Sequence, residues 1–239
     1  MNPLRCLVLP GMDGSGAWLD EFAAAMAPRL PVEILAYPPQ RALGYDELVD
    51  FVRPHLPQAE PYLLLGESFS GPIAIRLAAQ RPPGLAGLVL CASFASAPSL
   101  PGSPLSTRTL ARLATALPLQ YLPAALAAPL LLGRWRTPER IERLQGLLHS
   151  VAPAVLHHRL REASRVDAEA ALAAIAGPLL YLRAERDRLV SADSLARIRT
   201  RVPSLSEVAL DAPHFLLQVR AAAAAQAICA WAAALPTRA

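Results

Sequence analysis

The chain has 239 residues, and 54% of them are hydrophobic, which is enough for one large domain with a substantial core and excludes a disordered segment. Its 23 basic residues exceed the 19 acidic ones and are all arginine, so chemistry that needs a lysine amine is excluded. Cys6, Cys91 and Cys229 lie in apolar contexts, and their odd number and spacing favour buried thiols in a reducing compartment over a disulfide framework or a metal site.

Taken in chain order, apolar runs that predict strands alternate with amphipathic segments that predict helices. The predicted strands cover residues 4–9, 32–37, 62–65, 85–92, 178–183 and 206–210. The predicted helices cover residues 17–30, 45–55, 72–79, 107–117, 121–132, 138–149, 155–166, 191–202 and 215–235. This order predicts an α/β fold with a mostly parallel six-stranded sheet. Residues 1–93 and 177–239 form its core, and a helical insertion spans residues 94–176.

The sequence GESFSG at positions 66–71 stands between the third predicted strand and the helix that follows it. A serine at such a sharp turn carries its hydroxyl above the sheet, and the residues two positions before and after it must be small. Gly66 and Ser70 meet that requirement, so Ser68 is the candidate nucleophile. Ser70 is the alternative, although Pro72 would then occupy a position that needs a small residue. An ordinary turn capped by Ser68 is the non-catalytic interpretation.

A serine hydroxyl needs a base within hydrogen-bond reach, and the base needs an orienting acid. His214 follows the last predicted strand, at the sheet edge where ligands of parallel sheets bind, and is the candidate base. The four other histidines, which favour solvated or capping roles, are His55, His149, His157 and His158.

The acid is expected in the loop after the strand at 178–183, which offers Asp187 and Glu185. Asp187 is favoured because it lies farther into the loop and precedes Leu189 and Val190, which can pack on the core. Glu185 remains the alternative.

Acyl transfer also needs N–H donors for the developing oxyanion. The backbone N–H of Phe69 is one candidate, since it follows the nucleophile. The glycine-rich loop at 10–16 offers the N–H of Met12 as the second. The same loop lacks the spacing of a dinucleotide fingerprint and the lysine of a phosphate loop, and an ordinary strand-to-helix connection is its other interpretation.

Together, the loop at 10–16, the elbow at 66–71, Asp187 and His214 resemble the α/β-hydrolase superfamily over essentially the whole chain. The sequences of the loop and the elbow are similar to those of a branch that contains esterases, thioesterases and acyltransferase-like proteins. The resemblance implies that the sheet lacks the first two family strands and that residues 94–176 form a cap over the nucleophile. A His-x4-Asp acyltransferase motif is absent, because Glu162 and Ala163 stand at that offset.

By this resemblance the cap sets substrate choice, and its leucines either line an acyl tunnel or hold the cap helices together. The candidate tunnel residues are Leu117, Leu119, Tyr121, Leu122, Leu126, Leu130, Leu131 and Leu132. Its basic residues either form a solvated face or steer an anionic acyl carrier; they are Arg108, Arg112, Arg134, Arg136, Arg140, Arg143, Arg159, Arg161 and Arg165.

The sequence thus predicts a serine hydrolase that cleaves a small-molecule carboxylic ester or thioester without a cofactor or metal. An acyltransferase with the same triad and a non-catalytic ligand-binding protein of the same fold are the alternatives, and fold and triad alone also leave a lyase or a cofactor-free haloperoxidase open. Nucleic-acid binding and a membrane span are not expected. The first residues lack the features of a signal peptide, so we expect a cytoplasmic protein.

Overall fold

The computed structural model describes residues 4–58, 60–99 and 124–235. Six strands form one parallel sheet in the order β2-β1-β3-β4-β5-β6. The strands are β1 (Arg5–Leu9), β2 (Val32–Ile34), β3 (Tyr62–Glu67), β4 (Leu85–Cys91), β5 (Leu179–Ala184) and β6 (Ser206–Leu210). The predicted α/β-hydrolase sheet is therefore confirmed, with β2 shorter than expected and β3 two residues longer.

Ten α-helices lie within the described residues. They are α1 (Asp20–Met26), α2 (Tyr45–Val52), α3 (Gly71–Ala79), α4 (Ala124–Leu131), α5 (Pro138–His149), α6 (Pro153–Ala163), α7 (Glu169–Leu172), α8 (Ala192–Arg201), α9 (Leu216–Val219) and α10 (Ala221–Ala233). The single closing helix predicted at 215–235 is two helices, because Arg220 at φ −125° and ψ 37° breaks the helical path. The helix predicted at 107–117 lies outside the described residues.

The central strands are buried on both faces, as expected when helices cover both sides of a parallel sheet. Alternate side chains of one strand enter different cores, so that Leu64 and Leu88 pack on one side while Leu63 and Val89 pack on the other. A third, smaller apolar cluster joins Trp18 to helices α4 and α5. The two large cores fix the strands, and with them the loops at their carboxyl ends.

In the described part of the insertion, residues 94–99 and 124–176, the regular structure is helical apart from one isolated bridge between Ser96 and Asp167, and turns and loops join the helices. Helices α5 and α6 both begin with a proline, at Pro138 and Pro153, where the missing N–H leaves no hydrogen bond unmade.

None of the described helices combines the length and the apolar character that crossing a membrane requires.

Candidate active site

The turn at the end of β3 is sterically tight. A Cβ atom on Gly66 would lie 2.8 Å from both the Cβ of Ala74 and the carbonyl oxygen of Ser70, so only glycine fits there. Ser68 has φ 47°, a left-handed conformation that is strained for a residue with a side chain. This strained position at the start of a helical segment is the geometry of a nucleophile elbow.

Side chains from a neighbouring loop and from helix α2 hold the strained turn through its carbonyl groups. Ser93, which follows β4, donates its hydroxyl hydrogen bond to the Ser68 carbonyl at 2.6 Å. The Tyr45 hydroxyl donates to the Phe69 carbonyl at 3.1 Å, and the two rings stack with centroids 4.7 Å apart. The positive φ of Ser68 is therefore imposed by its surroundings.

Ser70, the alternative nucleophile, is fully buried. Its hydroxyl donates to the carbonyl of Pro10 and lies 2.6 Å from the Tyr37 hydroxyl. A hydroxyl with both partners inside the protein cannot reach a substrate. Ser70 instead ties the turn after β3 to the loop after β1.

The structure brings together three side chains that are far apart in the sequence. The Ser68 hydroxyl lies 2.8 Å from Nε2 of His214, and Nδ1 of His214 lies 2.8 Å from Oδ2 of Asp187. His214 is only 5% exposed. Since a carboxylate can only accept, Nδ1 carries the proton and Nε2 is free to accept the serine proton.

Asp187 is fixed in its loop by two backbone donors. The N–H groups of Leu189 and Val190 donate to its Oδ1 at 2.8 and 2.9 Å, which leaves Oδ2 for the imidazole. Glu185, the alternative acid, is exposed and its carboxylate lies near Arg183, at 3.9 Å. Of the two candidates, only Asp187 bonds to His214.

Burial by itself lowers the pKa of His214, but the Asp187 carboxylate opposes it through charge and hydrogen bonding, and Glu67 adds to this. The result is a pKa above that of an ordinary imidazole. The same interactions stabilise the imidazolium that forms when His214 takes a proton.

The other histidines are not part of this arrangement. His55 is exposed near the end of α2 and bonds to the Phe51 carbonyl, while His149 is exposed at the end of α5 and bonds to Gln145. His157 and His158 are half-buried on α6.

The loop after β1 contains a β-turn from Gly11 to Gly14, closed by a hydrogen bond of 2.9 Å from the Gly14 N–H to the Gly11 carbonyl. A peptide's C=O and N–H point in opposite directions, so the Met12 N–H points away from this bond. Met12 also lines the cavity that contains Ser68 and His214. Phe69 follows Ser68 in the first helical turn, where N–H groups carry partial positive charge. Met12 thus shares a cavity with Ser68, and the N–H groups of Met12 and Phe69 remain the predicted oxyanion donors.

Glu67 is a site residue that sequence reasoning missed, although it adjoins the candidate nucleophile. Its carboxyl is buried and accepts from the Gly11 N–H at 3.1 Å and from the Gln218 amide at 2.8 Å. Burial raises its pKa to about 7, against the lowering effect of those two bonds. Glu67 connects the loop after β1 to helix α9, which follows His214.

A cavity of about 160 Å³ opens at Ser68 and His214. Its apolar wall is made mainly of leucines, most of them from the insertion: Leu131, Leu144, Leu147, Leu148, Leu156 and Leu189. Asp13 and Glu67 are carboxyl groups at this wall, and no arginine is among its described lining residues. Leu126 and Leu130, which were candidates for a tunnel, are 64% and 44% exposed, so the structure does not bring them to the site. The tunnel candidates Leu117, Leu119, Tyr121 and Leu122 lie outside the described residues.

The arginines of the insertion have varied surroundings. Arg134 and Arg143 form ion pairs with Asp211 and Asp20, which lie outside the insertion. Arg159 is fully buried and does not belong to the basic face predicted from the sequence, because it bonds to backbone carbonyls of the loop after β1. Arg108 and Arg112 lie outside the described residues.

Within residues 4–58, 60–99 and 124–235, no group of three or more His, Cys, Asp or Glu side chains is placed to hold a metal ion. The three cysteines are buried free thiols.

Residues 43–219 match the family model described as serine aminopeptidase, S33. Among solved structures, the chain is similar to a bromoperoxidase from Bacillus anthracis, at 14% identity and a TM-score of 0.83, over 97% of this chain and 92% of that chain. It is also similar to an enol-lactonase from Burkholderia xenovorans LB400, at 16% identity and a TM-score of 0.81, over 97% and 91%.

A third similar structure is a thermophilic esterase from Thermogutta terrifontis, at 22% identity and a TM-score of 0.74, over 97% of this chain and 89% of that chain. These likenesses show the fold. No match was found among curated proteins.

Proposed function

The chain belongs to the serine aminopeptidase S33 family of α/β-hydrolases, and from that premise we propose that it is a serine hydrolase that cleaves a carboxylic ester or thioester through an acyl-enzyme on Ser68. The observation that carries the proposal is the pair of 2.8 Å contacts that join Ser68, His214 and Asp187 at the mouth of a leucine-lined cavity.

In the proposed reaction, His214 takes the Ser68 proton as the serine oxygen attacks the substrate carbonyl. Asp187 keeps the imidazole in the required tautomer and stabilises its charged form. The N–H groups of Met12 and Phe69 bind the oxyanion. His214 then protonates the leaving group, and it later deprotonates the water that releases the acid.

The cavity supports a compact, uncharged acyl group. Apolar cavities of about 150 Å³ hold a benzene-sized molecule, so about six carbon atoms fit beside Ser68. Asp13 at the wall, together with the ionised form of Glu67, opposes an anionic acyl group, because like charges brought together in a poorly solvated site repel strongly. We therefore propose p-nitrophenyl butyrate and hexanoate as the best substrates of a chain-length series, and a hemisuccinate ester as a poor one.

The first test is labelling with a fluorophosphonate probe, which reports an activated serine without a substrate. We expect labelling of the wild type and its loss in Ser68→Ala and His214→Ala. Matched controls are Ser204→Ala and His55→Ala, at exposed positions away from the site, and both should label normally. Labelling that survives Ser68→Ala would overturn the proposal.

The second test follows turnover of the ester series. The same triad supports transfer to an alcohol, so released acid is measured against transfer to added methanol. An acceptor preference for alcohol over water, corrected for concentration, would identify a transferase.

Amide hydrolysis is a second candidate, favoured by the family description and by the two carboxylates at the cavity wall. A carboxylate there would pair with the α-ammonium group of an amino-acid substrate. Leucine p-nitroanilide is the probe, and a kcat/KM for it above that for the best ester would favour this candidate.

A further inference from the structure

Arg159 is a buried cation held by backbone carbonyls. It lies on α6 with no exposed surface, and no carboxylate of the described residues forms an ion pair with it. Its Nη1 donates to the carbonyls of Met12 at 2.9 Å and Asp13 at 2.8 Å, and its guanidinium lies over the Tyr37 ring at 5.5 Å. A buried charge is poorly screened by solvent. The guanidinium therefore exerts a strong electric field on the peptide groups of this turn.

One hydrogen bond connects these peptide groups to the Met12 N–H, the candidate oxyanion donor. The Asp13 carbonyl and the Gly14 N–H belong to one peptide unit, and that N–H donates to the Gly11 carbonyl at 2.9 Å. The Gly11 carbonyl and the Met12 N–H belong to another peptide unit. A cation on the Asp13 carbonyl therefore orients both units and polarises them in series, because hydrogen bonds in a chain strengthen one another.

The loop leaves room for the guanidinium at Gly14. This residue has φ +73°, and a Cβ atom added to it would lie 2.5 Å from Nη1 of Arg159. A side chain at position 14 would therefore strain the backbone and displace the arginine.

The same helix also reaches the substrate cavity. Leu156 lines the cavity and stands three residues before Arg159, so the two side chains share one face of α6. The position of α6 thus affects both the acyl pocket and the turn that presents the Met12 N–H.

We infer that Arg159 is a positioning residue that orients and polarises the Met12 N–H for oxyanion binding, and so links the insertion to the chemistry at Ser68. The role in catalysis depends on the proposed function. The link between Arg159 and Met12 does not, and the two are tested separately.

The link is tested by NMR on protein labelled with [15N]methionine. The chain has three methionines, and Met26 in α1 serves as an internal reference for Met12. We expect Arg159→Leu to move the Met12 amide proton resonance upfield and to leave that of Met26 in place. Arg161→Leu is the matched control, at an exposed arginine on the same helix, and should move neither. An unmoved Met12 resonance in Arg159→Leu would overturn the inference.

The catalytic consequence is tested with p-nitrophenyl butyrate, with rates expressed per serine titrated by the fluorophosphonate. Loss of one oxyanion donor costs about 100- to 1,000-fold in kcat, so a loosened donor should cost about 10- to 100-fold, with KM changed less than about threefold. Arg159→Lys keeps the charge and one donor group, so it should recover several-fold of the loss. Inhibition by an alkyl trifluoromethyl ketone, whose adduct carries an oxyanion, should weaken in parallel.

Three results separate the possibilities. A wild-type kcat per active serine in Arg159→Leu overturns the catalytic inference while Ser68 chemistry stands. If that variant does not fold, Arg159→Gln, which keeps N–H donors without the charge, takes its place, and a wild-type kcat in it has the same meaning. Ester turnover that persists in Ser68→Ala overturns the proposed function, and the Met12 resonance then decides the positioning inference alone.

Discussion

The carboxyl edge of the sheet and the insertion contribute to the site by different forces. At the edge, hydrogen bonds hold the reacting groups: Ser93 binds the Ser68 carbonyl, and two backbone N–H groups fix Asp187. The insertion contributes leucines, whose contacts are not directional. Under the proposed function, the edge determines whether the reaction occurs, whereas the insertion determines which acyl group enters. Arg159 is the exception, a directional contact from the insertion to the edge.

The largest expected effect on kcat comes from removing the Asp187 carboxylate at the sheet edge. Asp187→Asn keeps the shape but allows the wrong tautomer of His214, so kcat should fall by about 10,000-fold. Because the carboxylate raises the pKa of His214, the acid limb of kcat/KM should also move to lower pH. Glu185→Gln is the matched control and should keep wild-type rates. A loss of less than tenfold in Asp187→Asn would contradict the assigned role.

The next effect tests the oxyanion donor on the turn after β1. Met12 is the second residue of that β-turn, a position where proline is well accommodated, so Met12→Pro removes the N–H with little change of backbone. We expect kcat to fall by about 100- to 1,000-fold. Met12→Ala retains the N–H and should change kcat far less. Equal rates in the two variants would show that this N–H does not bind the oxyanion.

A larger side chain at the cavity wall tests what the insertion contributes. Leu148→Phe places a larger side chain at the cavity wall, so the ratio of kcat/KM for octanoate to that for butyrate should fall by about tenfold, the scale of a few buried methylene groups. The rate with acetate should be nearly unchanged. Leu130→Phe, at an exposed position in α4, is the control. An unchanged chain-length profile in Leu148→Phe would mean that the acyl group binds elsewhere.

The smallest expected effect on activity comes from Glu67→Gln. The buried Glu67 has a pKa of about 7 in the folded protein against 4.5 as a free side chain, so the folded state binds more protons between these pH values. The unfolding free energy of the wild type should therefore fall as pH rises from about 4.5 to about 7. Gln218 can turn its amide to meet the new one, since its Oε1 has no other partner within the described residues.

Denaturant titrations at several pH values measure this contribution. The difference in unfolding free energy between Glu67→Gln and the wild type should rise with pH across that window and level off above it. Glu142→Gln, at an exposed position, should show no such trend. Loss of the Glu67 charge should also move the acid limb of kcat/KM to lower pH, since Glu67 raises the pKa of His214. A flat difference would contradict the raised pKa of Glu67.

The sheet and the three-residue arrangement could be predicted because they follow from local patterns. Ser68, Asp187 and His214 each follow a predicted strand, and parallel strands bring their carboxyl ends to one edge. The requirement for glycine at position 66 is likewise local, since it depends on one strand and the next helix.

The supporting contacts could not be predicted, because they depend on packing between distant segments. Arg159 and Met12 are 147 residues apart, and Glu67 and Gln218 are 151 apart. In the sequence, Arg159 is one basic residue among several on a helix, and only the placement of α6 against the loop after β1 buries it. The break at Arg220 within the predicted closing helix has the same origin, since no proline or glycine marks it.

The contact between Ser68 and His214 spans 146 positions of the chain. A ribosome adds about 5–20 residues per second, so roughly 7–30 s separate the synthesis of Ser68 from that of His214. During that interval the nascent polypeptide carries the elbow without its histidine, so under the proposed function it is inert towards esters. Because His214 follows β6, the gap delays reactivity until all six strands have been translated.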